Sequence, residues 1–168
     1  MTTSARPKFS ILMVCMGNIC RSPTAEAVLR HMVNEAELGD AVRIDSAGTL
    51  DYHVGSPPDS RSQAHALKRG YDLSKLRARQ VSATDFDEFD LVLAMDWQNL
   101  AELQRICPPE HQRKIHRLME FAPPGINDIV PDPYTGGPLM FERVIDHIEQ
   151  ACRGLMIFIR NQLASAMR

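Results

Sequence analysis

The chain has 168 residues, of which 44% are hydrophobic, and a formal net charge of −2. This length predicts one domain with a full core, and the near-neutral charge, without long basic or acidic blocks, argues against nucleic acid or an anionic membrane surface as the main partner. No run of 18 apolar residues and no signal-peptide core is present, so we expect a cytoplasmic protein without membrane insertion. We expect residues 1–8 to form a flexible tail before a single domain over residues 9–168.

Apolar strand-like runs alternate with helical patterns along the chain. Strands are predicted at residues 9–14, 42–45, 91–94 and 114–119, and helices at 24–36, 59–69 and 97–106. A last helix is predicted from apolar residues between Phe141 and Ile159 that share one face through about five turns. This alternation predicts an α/β fold with a four-stranded parallel sheet and helices on both faces. Ligands of such sheets bind beyond the carboxyl ends of the strands.

The first strand runs into a loop that is typical of phosphate binding. Its sequence is Cys15-Met16-Gly17-Asn18-Ile19-Cys20-Arg21-Ser22. If the five residues between Cys15 and Arg21 curl inward, their N–H groups form an anion nest, and the helix that follows adds its positive end. Arg21 would close the ring with a planar fork that matches two phosphate oxygens. The same field favours the thiolate form of Cys15, so the nucleophile needs no separate base.

The residues around this loop suit a tight turn that leads into a helix. Gly17 and Asn18 tolerate left-handed backbone angles. Ser22 is predicted to be the N-cap and Pro23 the first helical residue. Because the nest and Arg21 already supply positive charge, and the histidines show no paired spacing, we expect no metal and no cofactor.

Four short motifs are spread over nearly the whole chain: residues 14–23, Ser46-Ala47-Gly48-Thr49, Ala94-Met95-Asp96 and Asp132-Pro133-Tyr134. In these motifs and in their order the chain resembles the low-molecular-weight protein tyrosine phosphatases. The resemblance implies hydrolysis of phosphotyrosine through a phosphocysteine intermediate, with Cys15 as nucleophile, Arg21 as phosphate clamp and Asp132 as general acid. It also implies that Ser22 hydrogen-bonds the Cys15 sulfur, and that Asn18 and Ser46 brace the loop. The implied partner is a phosphotyrosine protein, with a tyrosine kinase as one candidate.

Asp132 falls in a stretch rich in proline and glycine, residues 123–138, which predicts a surface loop. Its carboxyl group can protonate the departing phenolate if it is protonated when substrate is bound. Asp128 is the competing acid, and we rank it lower.

Two tyrosines are predicted to form the walls of a slot deep enough for phosphotyrosine and too deep for phosphoserine. They are Tyr134 and Tyr52, although Tyr52 is alternatively a packed loop residue. His53 lies where substrate preference is expected to vary.

The four cysteines have different predicted roles. Cys107 and Cys152 are expected to be buried structural residues. Cys20 shares the loop with Cys15, so we expect it to form a reversible disulfide after Cys15 is oxidised to a sulfenic acid.

Three other functions fit the same loop: an arsenate reductase, an arginine-phosphate phosphatase, and a non-catalytic anion-binding module or phosphocysteine carrier. The first relays electrons through cysteines close in sequence, and the second tends to have threonine where this chain has Ile19. A carrier has no use for an acid such as Asp132.

The chain departs from the family pattern at two positions. Thr135 stands in place of a second tyrosine, and Arg69 stands in place of a histidine. Because of Arg69, we expect Asn18 to be braced differently.

Overall fold

Four parallel strands form one sheet at the centre of the molecule. The computed structural model describes residues 7–166, and its strands are β1 (Phe9–Cys15), β2 (Val42–Gly48), β3 (Leu91–Ala94) and β4 (Ile115–Arg117). They pair in the order β2-β1-β3-β4, all in parallel. Residues 1–6 of the predicted tail lie outside the described residues, and the domain bounds 9–168 stay a prediction.

Helices cover both faces of this sheet, as the alternating pattern predicts. Within residues 7–166 they are α1 (Arg21–Glu35), α2 (Ser60–Leu67), α3 (Ala83–Glu88), α4 (Trp97–Ile106) and α5 (Pro138–Ala166), with 3₁₀ turns at Pro109–Lys114 and Leu118–Phe121. Side chains of β1 alternate between the two faces: Ile11 and Met13 pack with α1 and α5, while Leu12 and Val14 pack with α3 and α4. No helix in the described range is long and apolar enough to span a membrane.

The predicted α/β fold is confirmed, and β3 and α4 have the predicted bounds. The strand β2 continues three residues further than predicted, to Gly48, because it pairs with β1 as far as Cys15. The strand β4 is shorter than predicted, since the chain turns into a 3₁₀ helix at Leu118. The helix α2 ends at Leu67, and Gly70, with φ of 89°, turns the chain out of it.

The predicted start of α1 is wrong. The helix begins at Arg21, and Cys20 occupies the N-cap position without a side-chain cap. Ser22 and Pro23 are therefore the second and third helical residues. The hydroxyl of Ser22 does not cap the helix because it is bonded to Asn18 and lies against the sulfur of Cys15.

The topology places the loop of Cys15 at a switch in strand order. The chain leaves β1 for β2 on one side of it and reaches β3 on the other. In open parallel sheets this is where a crevice forms beyond the carboxyl ends of the strands. Cys15 is the last residue of β1 and therefore faces that crevice.

Candidate active site

Several carbonyl groups at the loop between β1 and α1 are bonded to other segments or to the helix that follows. Four such bonds join Cys15 O to Thr49 N (2.9 Å), Met16 O to Leu50 N (3.0 Å), Ile19 O to Asp59 N (2.8 Å) and Cys20 O to Thr24 Oγ1 (2.7 Å). In the part of the chain that the structure describes, no N–H group of residues 16–20 donates to a protein acceptor. Backbone donors left without a protein partner at the start of a helix are an arrangement that can bind an anion.

Two glycines and Asn18 permit the tight course of this loop. Asn18 has a φ of 57°, in the left-handed region that asparagine tolerates. A Cβ on Gly17 would lie 2.9 Å from Cδ2 of His53. A Cβ on Gly48 would lie 2.7 Å from the carbonyl oxygen of Met16. The loop thus packs directly on the end of β2, a requirement at Gly48 that sequence reasoning missed.

The residues predicted to brace the loop lie in one hydrogen-bonded chain. Asn18 Nδ2 donates to Ser22 Oγ (2.8 Å) and to Ser46 Oγ (3.0 Å), and Asn18 Oδ1 accepts from the N–H of Arg79 (3.0 Å). Ser22 Oγ lies 3.0 Å from Cys15 Sγ. Because Asn18 donates to the oxygen of Ser22, the hydroxyl proton of Ser22 can point to the sulfur. A thiolate at Cys15 would accept it.

This series of hydrogen bonds ends at a buried acid, Glu26, that sequence reasoning missed. Ser46 Oγ donates to Glu26 Oε1 (2.6 Å), and Arg30 Nη2 lies 2.7 Å from Glu26 Oε2. Glu26 is only 4% exposed. Burial raises the pKa of Glu26 above its usual range, although the bonds from Ser46 and Arg30 oppose this rise. The sequence offers only the i,i+4 spacing of Glu26 and Arg30, which is equally typical of a surface ion pair.

Arg69 does not brace Asn18. It pairs instead with three carboxylates of α5: Glu142 at 2.7 Å, Asp146 at 2.8 Å and Glu149 at 2.7 Å. The backbone N–H of Arg79 bonds Asn18, and the Arg79 side chain pairs with Asp45 and Asp85. The backbone of Arg79 therefore braces Asn18, and Arg69 ties the segment after α2 to α5.

The guanidinium of Arg21 is buried at the floor of the site, with the residue 2% exposed. Its Nη1 donates to Asp96 Oδ2 (2.6 Å) and to the carbonyl of Val130 (3.1 Å), while Nη2 lies 3.9 Å from Asp132 Oδ2. Burial lowers the pKa of Arg21, but the negative charges of Cys15 and Asp96 outweigh it and raise the pKa above the usual value. The fork is therefore charged and fixed in orientation. The motif that contains Asp96 gave no hint of this role.

A cleft of about 300 Å³ opens above Cys15. It is lined by Cys15, Met16, Gly17, Ile19, Cys20, Arg21, Leu50, Tyr52, His53, Asp132 and Tyr134. Tyr52 and Tyr134 stand at its rim, 84% and 51% exposed, and the ring of Tyr52 meets that of His53 edge-on at 4.8 Å. The exposure of Tyr52 rules out the alternative of a packed loop residue. The predicted slot residues thus lie together around one cleft.

The two candidate general acids, Asp132 and Asp128, lie in different depressions of the surface. Asp132 lines the cleft, its side chain is 46% exposed, and its Oδ1 accepts from the N–H of Tyr134 at 3.0 Å. Asp128 lies in a different surface depression beside Arg117, which donates to its carbonyl at 2.6 Å. Only Asp132 of this pair can therefore reach a group bound above Cys15.

All four cysteines are free and buried. Cys107 and Cys152 lie in the core, as predicted for structural residues. Cys20 lines the same cleft as Cys15, and burial raises the pKa of the Cys20 thiol to about 12. Cys20 is therefore protonated near neutrality. In the described part of the chain, no group of three or more His, Cys, Asp or Glu side chains could hold a metal ion.

Comparison with known proteins gives one consistent result. The sequence model of the family described as low molecular weight phosphotyrosine protein phosphatase matches residues 10–166. A putative low molecular weight protein-tyrosine-phosphatase of Synechocystis is 42% identical over 156 residues, which are 92% of this chain and 99% of the relative. A protein tyrosine phosphatase of Entamoeba histolytica, solved with Hepes in the active site, superposes with a TM-score of 0.88 at 41% identity, covering 91% of this chain and 97% of the other. YfkJ of Bacillus subtilis superposes with a TM-score of 0.87 at 36% identity, covering 94% and 98%.

Proposed function

The chain belongs to the low molecular weight phosphotyrosine protein phosphatase family, and from this premise we propose that Cys15 is its nucleophile, Arg21 its phosphate clamp and Asp132 its general acid. The activity itself is that of a protein tyrosine phosphatase. The observation that carries the assignment of roles is the loop of residues 16–20, which follows Cys15: its Met16 and Ile19 carbonyls are bonded to neighbouring segments, and its amides have no protein acceptor. The fixed guanidinium of Arg21 supports the same assignment.

The phosphoryl group would bind in the nest formed by the loop amides. Asp96 and the carbonyl of Val130 occupy Nη1 of Arg21, which leaves Nε and Nη2 for two phosphate oxygens. These donors are in place before substrate arrives, so they stabilise the charge of the transition state without reorganising.

Two displacements account for the reaction. In the first, the Cys15 thiolate bonds to phosphorus as the P–O bond to the tyrosine oxygen breaks, and Asp132 gives that oxygen its proton. In the second, the Asp132 carboxylate takes a proton from water, the water oxygen bonds to phosphorus, and the S–P bond breaks to release inorganic phosphate. The hydroxyl of Ser22, 3.0 Å from Sγ, would donate to the sulfur as it leaves.

The cleft walls favour an aromatic ester. Tyr52 and Tyr134 at the rim, together with the lining residues Leu50 and Ile19, offer flat and apolar surfaces to a phenyl ring. The Ile19 side chain has no hydroxyl group to bond a guanidinium, which disfavours phosphoarginine. Peptides with phosphotyrosine, phosphoserine and phosphoarginine in one sequence test this, and we expect kcat/KM to be highest for phosphotyrosine. A higher value for phosphoarginine would reverse the assignment.

Trapping of the covalent intermediate tests the catalytic roles. The enzyme is mixed with p-nitrophenyl phosphate, quenched in alkaline denaturant within one turnover and mapped by mass spectrometry. We expect the phosphoryl group on the peptide that contains Cys15, and no turnover in Cys15→Ser. A phosphoryl group on another residue, or substantial activity of Cys15→Ser, would refute the nucleophile.

We further propose that Cys20 protects Cys15 from oxidation. Peroxide would convert the Cys15 thiolate to a sulfenic acid, and Cys20 would then attack its sulfur, forming an S–S bond and releasing water. The position of both sulfurs in one cleft supports this, while the raised pKa of Cys20 implies that Cys20 must lose its proton during the attack. At a peroxide dose that carries Cys15 of the Cys20→Ala variant to the sulfinic acid, the parent enzyme should still regain activity with dithiothreitol. Peptide mapping of the treated parent enzyme that finds Cys15 as sulfinic acid, and no Cys15–Cys20 bridge, would exclude the disulfide.

The proposed function also includes a cellular compartment and a class of protein substrate. Four free cysteines suit a reducing compartment, so we propose a cytoplasmic protein that acts on phosphotyrosine proteins, with a tyrosine kinase as a candidate substrate. Capture of phosphoproteins by Cys15→Ser, with competition by inorganic phosphate, identifies the substrates. Capture that phosphate does not reverse would contradict binding through this site.

A further inference from the structure

We propose that Arg61 is a positioning residue that holds Asp132 in place for proton transfer. This inference rests on the proposed role of Asp132 as general acid. Arg61 is the second residue of α2 and lines no part of the cleft wall around Cys15 in the described structure. Its guanidinium nevertheless spans from α2 to the loop that carries the acid.

The side chain of Arg61 is fixed on two sides. On the α2 side, its Nε and Nη2 donate to the carboxylate of Asp59 at 3.2 and 3.0 Å. On the other side, Nη2 donates to the carbonyl of Tyr134 at 2.9 Å. The guanidinium also lies over two rings, 5.5 Å from the centroid of Tyr134 and 4.7 Å from that of Phe141. Only a planar fork can make these contacts together.

Tyr134 in turn orients the acid. Its N–H donates to Asp132 Oδ1 at 3.0 Å, so the residue that Arg61 holds by its carbonyl and ring is the one that holds the carboxylate. The chain before Asp132 is fixed separately, because Val130 donates to the carbonyl of Met95 (2.8 Å) and accepts from Arg21. Asp132 thus lies between two anchored residues, and Arg61 supplies the downstream anchor.

The contacts of Asp59 extend this path to the phosphate loop. The N–H of Asp59 donates to the carbonyl of Ile19 (2.8 Å), and its carboxylate caps α2 by accepting from the N–H groups of Arg61 and Ser62. A continuous series of bonds therefore runs from the phosphate loop through Asp59, Arg61 and Tyr134 to Asp132. Such a link sets the distance between the bound phosphate and the acid.

General acid catalysis depends on this distance, since the donor must lie within hydrogen-bond reach of the leaving oxygen. Loss of the anchor should therefore slow reactions that need the proton and spare those that do not. Phenyl phosphate leaves as a basic phenolate and needs the proton. Nitrophenyl phosphate leaves as a stabilised anion and needs it much less.

The test compares Arg61→Ala with the parent enzyme on these two substrates. The quantity compared is kcat/KM, which reports the first displacement, because in the second displacement Asp132 acts on water whatever the leaving group was. We expect kcat/KM on phenyl phosphate to fall at least about tenfold, part of the roughly 10²–10⁴-fold contribution of a positioned acid, and kcat/KM on p-nitrophenyl phosphate to fall much less. Arg105→Ala is the matched control, because Arg105 is an exposed arginine whose carboxylate partner is Glu102 on its own helix, α4. It should leave both rates unchanged.

Asp132→Asn separates this inference from the proposed function. If Asp132→Asn shows no preference for the better leaving group, the assignment of the acid fails. If Asp132→Asn shows the preference while kcat/KM of Arg61→Ala falls equally on both substrates, or does not fall, the role of Arg61 is refuted. Thermal unfolding is followed for each protein. Should Arg61→Ala not fold, Arg61→Lys gives the same test, because a lysine cannot bond Asp59 with a fork and Tyr134 at once. For Arg61→Lys, kcat/KM should again fall more on phenyl phosphate than on p-nitrophenyl phosphate. An equal fall on both substrates would refute the role of Arg61.

Discussion

Arg21 and Asp96 form an ion pair of 2.6 Å that joins the start of α1 to the start of α4. Asp96 also caps α4 by accepting the N–H of Asn99 at 2.8 Å, so its carboxylate is itself fixed. The guanidinium of Arg21, the proposed phosphate clamp, is therefore oriented by the fold before any substrate binds. Preorganised donors of this kind are the main source of transition-state stabilisation for a transferring phosphoryl group.

This pair predicts a stability effect. Asp96→Ala leaves the buried guanidinium of Arg21 without its carboxylate partner, so the free energy of unfolding should fall by about 3 kcal/mol. Asp96→Asn should lose less, because an amide oxygen can still accept from Arg21 and cap α4. Urea unfolding measures both variants. An unchanged midpoint for Asp96→Ala would show that Arg21 does not depend on this partner.

The contact between Gly48 and the loop predicts a strong effect of a single methyl group. In Gly48→Ala the new Cβ would lie 2.7 Å from the backbone oxygen of Met16, so the loop must shift. We expect the inhibition constant of inorganic phosphate to rise and stability to fall by about 1–3 kcal/mol. Gly137→Ala is the control, since no atom lies within 4 Å of a Cβ there. Equal phosphate binding in the two variants would contradict a loop that rests on β2.

The raised pKa of Glu26 predicts how stability changes with pH. Between the usual glutamate value of about 4.3 and the higher folded value, the folded state holds more protons than the unfolded state. Stability should therefore fall as pH rises through this window and level off above it. Glu26→Gln removes the titration, so its stability should fall less over the same range. Parallel curves from urea unfolding at several pH values would show that Glu26 titrates normally.

The two cysteines of the loop should differ in reactivity. Burial raises the pKa of Cys20 to about 12, so Cys20 is a thiol at neutral pH. Iodoacetate reacts with thiolates, and Cys15 lies beside the positive charge of Arg21. We expect peptide mapping to find carboxymethyl groups on Cys15 first, with protection by inorganic phosphate. Labelling of Cys20 at the same rate would contradict this order.

What the sequence could predict depends on how local each feature is. The strand, loop and helix from Phe9 to Glu35 are contiguous, so the pattern of residues indicates both the turn and its anion nest. Asp132 lies far along the chain from Cys15, and only the family resemblance connected the two. The helix α3 was missed although Ser82 and Asp85 form a capping box that is visible in the sequence.

Features that depend on contacts between distant segments could not be predicted from the sequence. Glu26, Asp96 and Arg61 have partners on other elements, and their residue types alone fit ordinary surface ion pairs. Ser22 has the residue type of an N-cap, but its hydroxyl is bonded by Asn18 and faces Cys15. In each of these cases tertiary contacts decide the role.

A crystal structure of the enzyme with vanadate tests whether Cys15, the loop amides and Arg21 together hold the phosphoryl group, because vanadate adopts the five-coordinate geometry of phosphorus in transfer. We predict a bond from vanadium to Cys15 Sγ, equatorial oxygens that accept from the amides of residues 16–20 and from Nε and Nη2 of Arg21, and Asp132 within hydrogen-bond reach of the apical oxygen opposite the sulfur. Vanadate bound away from Cys15, or loop amides that turn away from its oxygens, would contradict the roles proposed for Cys15 and for the loop.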